Sequence, residues 1–464
     1  MHRLAALLTL VLLGLAMCVT LSAASGAKLW PNPKRITVSS LAYPAAAAWA
    51  EPCSGNKTAL KIRTLGSGLG APLTIVRCGF VQIGQPALTY TVYRHSLYLV
   101  WSQTPTLTSG SKGNQSPGGI FVSRSHDRGR HWTKPRLLVH SHSFLPVDVK
   151  VAAYVQRLWL MWSDATGKKN AHFHIQAFNT LTWKERQRQY VEGIGSFKVA
   201  PGSDSFGLYT VNGGMAAFWL TWKDALGSTG SWHFADTEKI NPRGTSRHIR
   251  FTYRGVVGLL NGTYFFVGAD QRLYRLTAKT DSTDATNPKS ILNLYRWRLH
   301  THSFVDVFSG EPLTIPKSLF VQSSVIAAGT DPASNFYLVY GSLSAPSCFL
   351  GATAASCAVA ASGQPYQPYM MLAKVPHGGN PVVPQTTSLV LPFVAAPVDS
   401  PQSAQIISGY NSSPSNSIVW TGHGMSLFSA VSVAPVTDKP GQDAYFVNPL
   451  GKNISRYFFL SSPF

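Results

Sequence analysis

Three stretches of this chain repeat one another closely: SLYLVWSQT from Ser96, RLWLMWSDATG from Arg157 and AAFWLTWKDALG from Ala216. Their tryptophans, Trp101, Trp162 and Trp222, fall 61 and 60 residues apart. Looser copies follow as GTYFFVGADQRL from Gly262, NFYLVYGSL from Asn335 and NSIVWTGHG from Asn416, giving six candidate units. β-Branched and aromatic side chains suit buried strands, and the Gly, Asp, Ser and Asn that close each copy suit turns. A helical reading fails because few stretches keep an i, i+3, i+4 apolar stripe. The 39 glycines and 30 prolines also interrupt the pattern throughout.

Short strands recurring every 40 to 80 residues or so predict a radial architecture in which each four-stranded sheet buries its faces against its neighbours. The expected fold is all-β, a six-bladed β-propeller; a double β-sandwich is the alternative, since it too reads as many short strands with turn signals. The segment SRYFFLSS from Ser455 is expected to complete a blade begun near the mature N-terminus and so to fasten the ring.

The chain opens with a basic start at His2 and Arg3, an apolar run from Leu4 to Leu21, and small residues from Ser22 to Ala27. That order reads as a secretory signal over residues 1–26, leaving 27–464 as one propeller domain with an N-terminal extension. An uncleaved anchor is the rival. Cys18 invites a lipoprotein reading, which the bulky Met17 before it opposes. No other span approaches the roughly 20 apolar residues needed to cross a bilayer, so no stable transmembrane anchor is expected.

Four cysteines remain beyond the signal, Cys53, Cys78, Cys348 and Cys357. Pairing of near neighbours, Cys53 with Cys78 and Cys348 with Cys357, is the simplest of three connectivities. The spacing lacks a zinc pattern, and no metal or other cofactor is expected. Asn56, Asn261, Asn411 and Asn453 open glycosylation sequons. Forty Lys and Arg against nineteen Asp and Glu give a formal charge of +21, an imbalance that draws a chain toward anionic glycans, sialylated surfaces, phospholipid or nucleic acid; the expected partners are anionic glycans or extracellular proteins. The basic residues are spread along the chain, and secretion argues against nucleic acid. A merely solvated surface is the other reading of the charge.

VHSHSFLPVDV from Val139 is echoed by LHTHSFVDVF from Leu299, each with two histidines near an aspartate: His140, His142 and Asp148, then His300, His302 and Asp306. A His-x-His pair on one strand face can ligate a metal. With no further ligand in either set, hydrogen bonding at turns and strand edges is the preferred role.

SRSHDRGRHW, from Ser123, contains Ser125, Asp127, Gly129 and Trp132 in the spacing Ser-x-Asp-x-Gly-x-x-Trp. This resembles the Asp-box of sialidases and related β-propellers, and GGIFVSR before it resembles the strand that enters such a box. The residue types fit a turn: a carboxylate that accepts from backbone amides, a glycine for a left-handed conformation, and an indole that folds back onto the blade. Degenerate copies are suggested at DALGSTGSWHF, which keeps Gly230 and Trp232, and at AFNTLTWKE, which keeps Trp183. In the family these boxes join the outer strands of a blade on the face away from the catalytic site, so the resemblance assigns the motif to the scaffold.

A sialidase would hold the sugar carboxylate with three arginines, attack with a tyrosine activated by a glutamate, and use an aspartate as acid and base. The resemblance offers Arg63 in LKIRTLG as the first arginine, without the Arg-Ile-Pro motif expected there. Arg247 and Arg250 are the central candidates, and Arg296 or Arg298 the late one. Tyr253 or Tyr295 is the nucleophile candidate and Glu238 its partner, chosen over Glu185 and Glu311. The missing first motif favours a secreted sialidase-like propeller that binds anionic glycans or protein partners without catalysis. An active exo-sialidase or trans-sialidase is one alternative. The other is a structural or adhesive assembly protein that uses the loops Ser109 to Gly119 and Ser344 to Pro365. Trp162 and Trp222 are candidate sugar-stacking residues, with core packing as the ordinary role.

Overall fold

The computed structural model describes residues 28–31, 34–39, 45–54, 57–65, 71–79, 81–91, 95–104, 118–140, 148–163, 173–191, 206–212, 214–222, 229–236, 240, 253–258, 261–281, 283, 289–316, 325–342, 369–378, 385–389, 394–395, 417–432, 446–447 and 456–460. The expected signal segment 1–26 lies outside them.

Among these residues the chain folds into seven antiparallel units of four strands. They run in chain order through residues 34–79, 87–140, 149–191, 206–258, 261–316 and 325–389, and the seventh combines 417–432, 456–460 and 28–31. We number them blades 1 to 7. In blades 1 to 6 the strands follow one another across the sheet from innermost to outermost. Blades 4 and 5 are joined in one sheet only by the pair Gly258 and Asn261. The outer strand of blade 5 is interrupted, so Ser303–Asp306 and Leu313–Pro316 pair with opposite ends of Lys289–Arg298. A separate two-stranded ladder pairs Val394–Ala395 with Phe446–Val447.

The innermost strands touch in sequence from blade 1 to blade 7, and that of blade 7 touches blade 1 again. The all-β propeller expected from the repeats is therefore present, with seven four-stranded units rather than six. The six sequence copies occupy six different blades, 2 to 7. Copies from Ser96, Arg157, Ala216 and Asn335 supply second strands, whereas those from Gly262 and Asn416 supply innermost strands. Blade 1 has no copy among the six because its second strand, Ala45–Ser54, reads AAAAWAEPCS and lacks the leucine-aromatic signature.

Closure takes the form the C-terminal sequence suggests. Arg456–Leu460 lies between Met425–Ser432 and Lys28–Pro31, with Lys28 opposite Leu460 on one side and Phe428 opposite Leu460 on the other. The first and the last described strands thus both contribute to blade 7.

Alternation along each second strand packs the blades face to face. Leu97, Leu99 and Trp101 of blade 2 meet Ala46, Ala48 and Ala50 of blade 1. Tyr98 and Val100 point the other way, to Leu158, Leu160 and Trp162 of blade 3. Trp159 and Met161 then meet Met215, Ala217 and Trp219 of blade 4. Counted from the start of the strand, Trp101, Trp162 and Trp219 each stand sixth, and each faces the preceding blade. The blade 4 member of the tryptophan series is therefore Trp219; the nearly constant spacing had pointed to Trp222, three residues on. Trp162 is buried and stacks on His174, which makes it core and not a sugar platform.

Trp219 is almost fully buried in the wall between blades 3 and 4. Trp219→Ala should cost about 3–5 kcal/mol in denaturant unfolding, as expected for emptying a large aromatic site.

Candidate functional site

The Asp-box turn joins the third strand of blade 2, Gly119–Ser125, to its outer strand, Arg136–His140. Ser125 Oγ accepts from the backbone N–H of Gly129 at 2.7 Å and donates to Asp127 Oδ1 at 2.8 Å. Asp127 Oδ1 also accepts from the backbone N–H of His131 at 2.9 Å, and Oδ2 pairs with His131 Nδ1 at 2.5 Å. Trp132 Nε1 donates to the Gly129 carbonyl at 3.1 Å. Gly129 sits at φ 87°, and a Cβ there would come within 3.2 Å of Thr64 in blade 1, so the glycine is required twice over. Trp132 packs into the core between blades 1 and 2. The turn thus closes blade 2 and seats it on blade 1.

Burial pulls the Asp127 carboxyl upward, but the His131 backbone N–H, the His131 imidazole and the Ser125 hydroxyl outweigh it and hold the group at about 2.

Equivalent contacts tie other blades together on the same face. The turn after Phe173–Asn179 in blade 3 uses Asn179 Oδ1 to accept from the N–H groups of Leu181 and Thr182, both at 2.9 Å. This is the position of the degenerate AFNTLTWKE copy. Trp183 packs against blade 2, edge-on to Tyr98, beneath the Arg124 guanidinium at 5.6 Å. Arg124 also donates to the Thr180 carbonyl at 2.8 Å. The other suggested copy is different: Gly230 and Trp232 lie within the strand Thr229–Asp236, not in a turn. Between blades 4 and 5, His302 Nδ1 meets the buried Asp236 carboxylate at 2.5 Å. Between blades 5 and 6, Asp270 accepts from Thr330 at 3.0 Å and from Ser334 at 2.8 Å. Thr210 Oγ1 lies 2.9 Å from Thr89 Oγ1 and accepts from Ala153 N–H at 2.8 Å, which draws the inner strands of blades 2, 3 and 4 together.

The two His-x-His segments open on opposite faces. His140 ends an outer strand, away from the Asp-box turn, whereas His300 and His302 lie in the turn from the third to the outer strand of blade 5. Asp306 caps its own turn, accepting from Phe308 and Gly310 N–H groups at 2.8 and 2.9 Å. His142 lies outside the described residues. Among the described residues no group of three or more His, Cys, Asp or Glu side chains is placed to hold a metal.

Of the six catalytic candidates, Arg63, Tyr253 and Arg298 are among the described residues. Arg63 is half-buried in the third strand of blade 1, where burial lowers its pKa from the ordinary arginine value. Tyr253 opens the outer strand of blade 4, and Arg298 is exposed at the end of the third strand of blade 5. No two of these share a blade, and none is on an innermost strand. Tyr295 lies under the Arg275 guanidinium at 4.3 Å, and the same cation covers Trp232 and Phe304 at 5.1 and 4.7 Å. That stack belongs to the wall between blades 4 and 5. Glu238, Arg247 and Arg250 lie outside the described residues. Sequence reasoning missed Arg124 and Asp270 as inter-blade fasteners, because their partners are 56 to 64 residues away.

Cys53 and Cys78 form a disulfide within blade 1, closing a separation of 25 residues. Cys348 and Cys357 lie outside the described residues, as do Asn56, Asn411 and Asn453. Asn261 opens the innermost strand of blade 5, opposite Lys279. No described helix is long and apolar enough to cross a membrane.

Ring and clasp together define a β-propeller that carries an Asp-box turn. No protein-family model matches the sequence, and no curated protein does. Among solved structures the chain matches a mutant NanB sialidase from Streptococcus pneumoniae at 9% identity and TM-score 0.40, over 67% of this chain and 65% of that one. It matches the leech intramolecular trans-sialidase at 10% identity and TM-score 0.37, over 67% of this chain and 64% of that one. A Trypanosoma rangeli sialidase aligns at 9% identity and TM-score 0.36, over 94% of this chain and 59% of that one. The chain thus spans less than two thirds of the length of each of these neighbours.

Asp127→Ala should destabilise the protein by about 1 kcal/mol at neutral pH, as for loss of a capping carboxylate. The contribution is complete above the ordinary aspartate pKa and disappears as pH falls toward 2. Thermal melts of the two proteins should therefore differ at pH 7 and converge in strong acid.

Proposed function

We propose that this chain is an extracellular propeller that binds anionic glycans or acidic protein surfaces and does not turn them over. The observation that carries the reading is the charge: 40 Lys and Arg against 19 Asp and Glu, set on a rigid ring. Such an excess raises the local concentration of polyanions and speeds their capture. The Cys53–Cys78 bridge supports an oxidising, extracytoplasmic location. Binding is assigned to the face opposite the Asp-box, where the long connections after Ser96–Gln103 and Phe336–Ser342 begin. The missing Arg-Ile-Pro motif supports binding ahead of turnover.

The full secreted chain should bind immobilised sialylated or sulfated glycans, lose that binding as salt rises, and release no fluorophore from a sialic acid conjugate. Clear turnover that disappears in Arg247→Ala would overturn the non-catalytic reading. Absence of glycan binding at low salt would overturn the binding one.

A further inference from the structure

Leu73, Val155 and Leu181 are the three exposed large apolar side chains among the described residues, at 38%, 64% and 48% exposure. All three stand on the Asp-box face. Leu73 opens the outer strand of blade 1, Val155 tips the turn between the first two strands of blade 3, and Leu181 tips that blade's Asn179 turn. Blade 2 lies between blades 1 and 3 and presents its Asp-box there, with Arg128, Arg130, Lys134 and Arg136 exposed; blade 3 adds exposed Lys184 and Arg186. The carboxylates within these two turns are Asp127, already paired with His131, and Glu185.

These pieces are held in one surface. Thr180 donates its backbone N–H to the Gln156 carbonyl at 2.9 Å, joining the Val155 and Leu181 turns. Arg124 grips the Thr180 carbonyl from the strand that enters the Asp-box, and Gly129 seats that box on blade 1. Val155 has φ 42°, a left-handed conformation that a β-branched residue adopts only under constraint. Asparagine would suit the position better, so the apolar tip is held there against local preference.

We propose that this face, beneath blades 1 to 3, docks on an anionic phospholipid bilayer. Apolar tips enter the headgroup boundary while arginines and lysines around them pair with lipid phosphates, which is how peripheral surfaces combine the two forces. A soluble sulfated glycan would satisfy the cations but would gain nothing from Val155 or Leu181. The site is separate from the glycan-binding face proposed above.

The test is sedimentation of the full chain with vesicles of phosphatidylcholine and phosphatidylglycerol at 3:1, against phosphatidylcholine alone. Binding should need the anionic lipid. Arg130→Gln and Lys134→Gln should each weaken partitioning about fivefold, and the double variant Val155→Asn, Leu181→Asn about tenfold. Lys279→Gln with Lys289→Gln removes two exposed charges from the opposite ends of blade 5 strands and should leave partitioning unchanged. Unaltered thermal melts establish that the variants fold. No binding to anionic vesicles overturns the proposal. So does equal weakening by the Lys279 and Lys289 pair, which would mean general adsorption of a basic protein. If the apolar variant binds normally while a soluble sulfated polysaccharide displaces the protein, the face is a polyanion site and the bilayer assignment fails.

Discussion

Every blade in this ring has two apolar faces and no cover of its own. A four-stranded sheet whose second strand buries alternate residues to both sides is stable only between two similar sheets, so the seven units depend on one another in a circle. Side-chain sizes follow from that demand. The broad face of blade 2, Leu97, Leu99 and Trp101, is received by the small alanine face of blade 1. The wall between blades 4 and 5 fills with Trp232, Phe234, Phe265, Trp297 and Phe304. Large meets small in one wall and ring packs on ring in another, which keeps the interior dense without a repeated sequence.

Among the described residues, a series of polar fasteners lies on one side. The Asp-box turn seats blade 2 on blade 1, Arg124 holds blade 2 to blade 3, His302 and Asp236 join blades 4 and 5, and Asp270 joins blade 5 to blade 6. Each fastener satisfies groups that would otherwise be left unpaired at the end of a sheet. Tyr337 is part of the same economy: burial and the neighbouring Asp331 push its phenol up to about 12, so it remains a hydrogen-bond donor.

Much of the fold was legible because strands that share a wall share a pattern. The all-β class, the radial repeat and the closing strand near Ser455 follow from residues close together in sequence. The count did not, since a strand of alanines can fill the same place as one of leucines and tryptophans, and Ala45–Ser54 was passed over. The series Trp101, Trp162, Trp219 was misaligned by three residues because spacing alone cannot tell which side of a strand a residue faces. The Asp-box turn was legible in detail, as Ser125, Asp127, Gly129 and Trp132 contact one another within eight residues. Arginines meant to converge from several blades carry no such local signal, and in a chain of charge +21 their identity distinguishes little.

The position of Arg456–Leu460 between the strand Met425–Ser432 and the first described strand, Lys28–Pro31, orders events in the life of the chain. A ribosome must pass Leu460 before blade 7 can assemble, and until then blades 1 and 6 each expose a face with no neighbour. Local hairpins can form as they emerge, but the longest-range pairing comes last and carries the largest entropy of closure. During synthesis the chain is therefore an open arc with two adhesive ends, vulnerable to joining another copy of itself. Completion of one five-residue strand turns that arc into a ring whose first and last blades cover each other.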